Sequence, residues 1–311
     1  MRIGLSIFFI ATSHLLGAQV QLPGYLYHDP ELSNALRRIV VEADLGGTYD
    51  VGEDGTETIS LAVIDLSAKR PRFGGVNADN FIYPASVYKM YVAMEVLKQI
   101  SEGRYGLHDM YVVRSPNDVD RSREIAFDPR PLLRDGDTVT IHYLIDLMIT
   151  RSDNSAANCL IDIATRPEIN ATMQQYQWQG SEVTRKFLRR SLEDPGYDTI
   201  RSTETCALHA ADFLYRMYTR QLVNPWVSLQ LESYLGLQLD TSKLATGLPR
   251  TAMFYHKTGW WSYYTHDVGL VNDGNTRYII ALFTPVPEKD VRPRMKVLAG
   301  KVHEILSSQR R

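Results

Sequence analysis

Apolar side chains recur at helical spacing over residues 30–41, with Asp29 placed to cap the helix and Pro30 at its first position. The glycine- and acid-rich stretch 46–57 then predicts a turn or surface loop. Residues 59–66 (ISLAVIDL) read as a strand, with 72–76 as its candidate partner. From Ser86 to Ile100 a helix is predicted that is apolar nearly all round in its first half, as a centrally buried helix must be. Residues 115–137, rich in Pro, Asp and Arg, predict long loops, after which Thr138 is placed to cap the apolar helix VTIHYLIDLMI. A polar elbow at RSDN leads into another helix, and Ser202 or Thr203 is expected to cap ETCALHAADFLYRMY. The period then shifts to strands at 253–258, 266–272 and 277–284, the last two joined through the turn DGNT, before an amphipathic helix closes the pattern at 291–306. Strands at both ends and helices between them predict an α/β (α+β) fold. Both chain ends contribute to one antiparallel sheet, packed against a helical lobe, with a cleft where the lobes meet.

Composition narrows the function classes. The chain has 311 residues, 44% hydrophobic and 23% charged, enough for a substantial core and incompatible with disorder throughout. With 34 Lys+Arg against 36 Asp+Glu, the net charge of -2 gives no field that would gather nucleic acid or an anionic membrane. Residues 1–18 combine Arg2, an Ile/Leu/Phe run and small residues at Gly17 and Ala18, the layout of a secretory signal. Cleavage after Ala18 leaves 19–311 as one two-lobed domain, and the expected location is periplasmic or extracellular. No later segment is long enough to cross a bilayer. Cys159 and Cys206 both lie in apolar helical patterns, so a disulfide and two buried thiols are equally open.

Three short strings carry candidate chemistry: Ser86-Val87-Tyr88-Lys89 (SxxK), Ser152-Asp153-Asn154 (SDN) and Lys257-Thr258-Gly259 (KTG). SxxK alone arises by chance about once in a chain of this length, but the ordered trio is expected in only a few chains per thousand on average composition. Three positions apart on a helix, Ser86 and Lys89 share a face. Lys89 lies among apolar neighbours such as Met90 and Ala93, which should lower its pKa and let it take the Ser86 proton. Ser152 can relay a proton, and Asn154 can donate to an amide carbonyl while accepting from Lys89. Lys257 and Thr258 suit a substrate carboxylate, and Gly259 permits close backbone approach. The plain alternatives are a capping serine with a surface lysine, an SDN that only caps the helix from Ser155, and an ordinary strand end. Asp153 fits a structural task best.

In these three motifs the chain resembles the penicillin-recognising serine enzymes, especially the class A beta-lactamases and related D-alanyl-D-alanine peptidases. The likeness spans most of residues 59–306 and includes VTRK at 183–186 and LDTSKLATGLP at 239–249. It implies a beta-lactamase/transpeptidase-like fold, an acyl-enzyme on Ser86, and roles at SDN and KTG for Ser152, Asn154, Lys257 and Thr258. It also implies an oxyanion hole from the amides of Ser86 and Trp260. The implied substrate is a beta-lactam or a D-Ala-D-Ala-type molecule, handled by a monomer with neither cofactor nor metal. The pattern departs where class A enzymes supply the glutamate for deacylation: matching VTR to the usual lead-in puts Arg190 there, and Glu193 follows three residues later. Glu193 is either that base or a solvent-facing acid in a turn. Trp260, Trp261, Tyr263 and Tyr264 either wall the cleft or belong to the core. His256 and His266 are expected to be surface or packed histidines and Arg292 and Arg294 solvent-facing, none of them ligands.

Overall fold

The computed structural model describes residues 20–52, 55–120, 128–193, 196 and 199–308, so the secretory-signal reading of 1–18 lies outside the described residues. In chain order the elements are β1 (Tyr27–His28), α1 (Pro30–Glu42), β2 (Tyr49–Asp50), β3 (Thr56–Glu57), β4 (Ser60–Asp65) and β5 (Arg72–Val76). A 3-10 turn, Ala85–Tyr88, leads into α2 (Lys89–Ser101), followed by β6 (Met110–Val112), β7 (Thr138–Thr140), α3 (Ile141–Thr150), α4 (Asn154–Ala164) and α5 (Arg166–Gln175). The last third holds α6 (Ala207–Tyr218), α7 (Pro225–Leu235), β8 (Met253–Trp261), β9 (Tyr264–Asn272), β10 (Arg277–Thr284) and α8 (Glu288–Ser308).

Six strands form the main sheet in the order β1-β5-β4-β10-β9-β8, antiparallel except for the β1–β5 pair. The two chain ends meet at β4 and β10, where Leu61 faces Leu282 and Val63 faces Ile280 across the ladder. All six residues of β4 are buried because both faces of the sheet are covered, which is why the strand reads as a continuous apolar run instead of an alternating one. Leu61 and Val63 pack toward α1 and α8; Ala62 and Ile64 pack toward the helical lobe. Within that lobe α2 is buried continuously from Lys89 to Leu97, as its all-round apolar pattern requires.

Several boundaries differ from the sequence expectation for local reasons. Thr140, not Thr138, caps α3 by accepting from the Tyr143 amide, because 138–140 pair with β6 as a strand. Neither Ser202 nor Thr203 caps α6: the helix starts at Ala207 after Cys206, and the Thr203 hydroxyl instead accepts from the Thr184 amide. KTG lies inside β8, whose pairing with β9 continues through Trp261. Cys159 and Cys206 are free, buried thiols, both pushed up to about 12 chiefly by burial, which keeps them unreactive.

Two buried histidines give the fold a defined acid sensitivity. Burial holds His209 down at about 4 and His266 at about 3, so both stay neutral in the native state where an unfolded chain would already take up protons near pH 6.5. Because the unfolded state binds more protons between those values, their stabilising contribution is present above pH 6.5 and is lost as pH falls toward 4. The expected loss is roughly 2–3 kcal/mol per histidine across that window. Thermal melts at pH 7, 5.5 and 4.5 should show it, and a flat melting temperature down to pH 4.5 would contradict it.

Candidate functional site

The 3-10 turn that carries Ser86 is bent into place by backbone geometry. Ala85 adopts a left-handed conformation (φ 45), which aims the following turn into the gap between the lobes. His266 fixes the segment from behind: its Nε2 donates to the Tyr83 carbonyl at 2.8 Å while its Nδ1 accepts from the Thr284 amide at 3.1 Å. Strand β8 closes against the same turn. A Cβ on Gly259 would lie 2.9 Å from the Pro84 carbonyl oxygen and 3.0 Å from the Ser86 nitrogen, so only glycine lets this strand reach the Ser86 amide.

Lys89 is fully buried and gathers the first two motifs. Its Nζ has four oxygens within hydrogen-bond distance, more than its three N–H groups can serve at once: Asn154 Oδ1 at 2.8 Å, the Ser152 carbonyl at 2.9 Å, Ser86 Oγ at 3.1 Å and Ser152 Oγ at 3.2 Å. With the first of these hydroxyl contacts reversed, Ser86 donating to a free amine, the same distance suits proton removal from an attacking serine. Lys257 is also fully buried, with Nζ donating to the Thr258 carbonyl at 2.8 Å, and Thr258 and Gly259 line the cleft above it.

The SDN elbow is held by groups that no motif announces. Ser152 itself has φ 59, a left-handed residue between α3 and α4. Asp153 caps α4 through the Ala156 amide and pairs with Arg151, a guanidinium buried against the Arg130 and Pro131 carbonyls, so its task is structural as expected. Asp120 takes both the Asn154 backbone N–H (2.6 Å) and its Nδ2 (3.1 Å). That leaves Oδ1 of Asn154 toward Lys89, and the second Nδ2 hydrogen is available to a ligand carbonyl.

The loop after α5 forms the remaining wall. Asn170 grips Val183 through both backbone groups, and Asn158 on α4 does the same for Phe187: the Phe187 amide donates to Oδ1 at 2.7 Å and Nδ2 donates to its carbonyl at 3.4 Å. The Phe187 ring stacks on Tyr88 (4.7 Å between centroids, 5° between planes) and lies over Lys89, with Nζ 4.1 Å from its centroid. Glu193 sits where the short turn Arg190–Leu192 ends. It lines the same cleft, and its charge adds to the burial that pushes the Tyr88 hydroxyl well up. Arg190, on which the motif spacing falls, also lines this cleft but is exposed.

The whole cleft has a volume of about 1920 Å³ and brings together Ser86, Ser152, Asn154, Thr258, Gly259, Trp260 and Glu193. Trp260 (51% exposed) and Trp261 (63%) wall its mouth, whereas Tyr264 is buried and joins the core while still touching the cleft. Tyr263 stands half-exposed in the turn that follows, against Gly52. His256 is buried, its Nδ1 2.8 Å from Asp267. Arg292 lies at the rim paired with Glu288, and Arg294 pairs with Asp44. Among the described residues no cluster of three or more His, Cys, Asp or Glu is arranged to hold a metal ion, and no helix is long and apolar enough to cross a membrane.

Arg151, Asp120, Asn158 and Phe187 are the residues that motif spacing missed. The only sequence signals for them are adjacency to SDN for Arg151 and a lone aromatic in a polar loop for Phe187.

The sequence model of one family, described as the beta-lactamase enzyme family, matches residues 48–306. Among solved structures the chain is similar to PBP-A at 18% identity and TM-score 0.75, covering 93% of this chain and 100% of that one. A mutant of PBP-A, described as an acyl-enzyme complex with penicillin G, is similar at 18% identity and TM-score 0.74, covering 91% and 98%. A beta-lactamase from Sphaerobacter thermophilus is similar at 18% identity and TM-score 0.70, covering 88% and 97%. At these identities the solved structures share the fold. No curated protein matches the chain.

Proposed function

Since the chain belongs to the beta-lactamase enzyme family, we propose that it is an exported serine hydrolase that opens the beta-lactam amide through an acyl-enzyme on Ser86. The observation that carries this reading is the placement of the Ser86, Ser152 and Asn154 oxygens within 3.2 Å of the buried Lys89 Nζ. Ser86 Oγ attacks the amide carbon as its proton passes to Lys89, acting as the free amine. Lys257 and Thr258 hold the substrate carboxylate, and the Ser86 and Trp260 amides receive the developing oxyanion. The C–N bond then breaks, and the leaving nitrogen takes a proton from Ser152, which is resupplied by Lys89. For hydrolysis of the resulting ester, Glu193 is the carboxylate available on the loop.

The size of the cleft and its tryptophan-walled mouth favour a second reading, a D-alanyl-D-alanine carboxypeptidase or related murein hydrolase using the same first half-reaction. A module that acylates without turnover is the third.

Incubation with a chromogenic cephalosporin, followed by intact-mass analysis, tests the proposal. The expected result is sustained colour release with at most a transient mass increase of one ring-opened substrate at Ser86; a persistent adduct without turnover would favour the second or third reading, and absence of both adduct and colour change would overturn covalent catalysis. Release of D-alanine from a wall-type peptide would favour the second reading. Glu193→Gln should leave acylation within about twofold of wild type and lengthen the adduct's lifetime by roughly 10²-fold or more. An unchanged lifetime would remove Glu193 from the mechanism.

A further inference from the structure

We infer that Arg189 and Arg190 form an anion subsite on the loop side of the cleft, and that the substrate accepted best carries a second carboxylate on its acyl half. The inference rests on the acyl-serine reading above and adds the charge of the acyl group to it.

Most charged side chains of the cleft already have a task within the fold. Arg151 is buried against Asp153 and the Arg130 and Pro131 carbonyls, Arg292 pairs with Glu288, and Asp240 pairs with the buried Lys243. On the loop itself, Lys186 pairs with Asp162, and Arg185 donates to the Ile200 and Arg201 carbonyls. Arg189 and Arg190 differ from all of these. Both line the cleft, both are exposed, and among the described residues neither side chain makes an ion pair or a hydrogen bond. Glu193, further along the loop, does not pair with them; both of its carboxylate oxygens are buried. Two neighbouring guanidinium groups repel one another until an anion lies between them, and their planar forks match a carboxylate better than any other cationic side chain does.

The architecture of α4 decides which half of the substrate meets them. Asn154 and Asn158 lie one helical turn apart and so share a face of the helix. Asn154 has an Nδ2 hydrogen for a ligand carbonyl, and Asn158 holds the loop by the backbone of Phe187. An acyl half anchored at Asn154 therefore runs on toward the loop, where Arg189 and Arg190 follow Phe187. The amine half ends at Lys257 and Thr258 on β8, the strand that packs against Ser86 through Gly259. Cations at both ends of the cleft fit a dicarboxylate: an acidic wall-type peptide, or a penicillin with a carboxylate at the end of its acyl chain.

The test uses two penicillins that differ only at the end of the acyl chain, the hexanoyl and adipoyl amides of aminopenicillanic acid, which end in a methyl group and a carboxylate. With the full chain in excess, loss of beta-lactam absorbance gives the second-order rate of ring opening whether or not the ester then hydrolyses. The wild-type chain should open the adipoyl compound about fivefold faster or more, the worth of two exposed charge pairs. Replacing both residues, Arg189→Gln with Arg190→Gln, should bring the ratio of the two rates to within about twofold of one. Arg38→Gln removes the same charge from an exposed site on α1, across the sheet from the cleft, and should leave the ratio as it is in wild type. Raising salt from about 0.05 M to about 0.5 M should shrink the wild-type ratio. A wild-type ratio within about twofold of one would overturn the inference. So would a ratio that survives the double substitution or high salt, one that Arg38→Gln lowers equally, or a double variant that loses both compounds to the same extent. A wild-type chain that opens neither compound overturns the acyl-serine reading instead, so the two failures are distinguishable.

Discussion

Ser86→Ala is expected to abolish the covalent adduct that the proposed acylation by a beta-lactam would leave on the protein and to lower chromogenic turnover by about 10⁴-fold or more. The substitution deletes one oxygen and nothing that holds the turn, which is set by Ala85, by the His266 bond to the Tyr83 carbonyl and by the packing of Gly259. Lys89 loses one of its acceptors and keeps the Ser152 carbonyl, the Ser152 hydroxyl and Asn154 Oδ1. The melting temperature should therefore change little, by the equivalent of about 1 kcal/mol. A folded Ser86→Ala chain that still gains the mass of the drug would place the attacking atom elsewhere.

If Lys89 is the base of the proposed acylation, Lys89→Met is expected to slow it by roughly 10²- to 10⁴-fold, the usual worth of a positioned general base. Methionine matches the length and suits the apolar surroundings on α2, but it cannot take the proton of Ser86. The Asn154 and Ser152 oxygens lose their shared donor, so about 1–3 kcal/mol of stability should go with it. Lys89→Arg separates charge from basicity: it keeps a cation in the site but not a group that gives up its proton, and acylation should fall as far as with methionine. Stopped-flow acylation rates measured beside thermal melts check both variants. Wild-type rates in either would remove Lys89 from the proton path.

The candidate chemistry was legible in the sequence to the extent that it is local. Ser86 and Lys89 lie one helical turn apart, so spacing alone put them on a common face. Asp153 could be read as structural because a capping residue acts on amides two or three positions away, and it caps Ala156. The paired sheet was legible because β4 and β10 carry long apolar runs at opposite ends of the chain.

The loop was not legible in the same way. Counting from Val183 put Arg190 on the position of interest, whereas Phe187 is the residue that lies on Lys89. A loop has no period, and its path is set by side chains that grip it from other elements, here Asn170 and Asn158, which lie 13 and 29 positions from Val183 and Phe187. Asp120 belongs to the same class: it orients Asn154 across 34 positions from a segment that reads only as polar loop.

The sequence by itself therefore determined the main helices and strands, the helical-lobe-on-sheet arrangement and a candidate acylation set, because periodicity and short spacing are properties of neighbouring residues. The tertiary structure alone decided what stands over Lys89, what orients Asn154 and why residue 259 must be glycine. Each of those depends on backbone or side-chain groups brought within about 3–4 Å by packing between segments far apart in the chain, a proximity that no local pattern encodes.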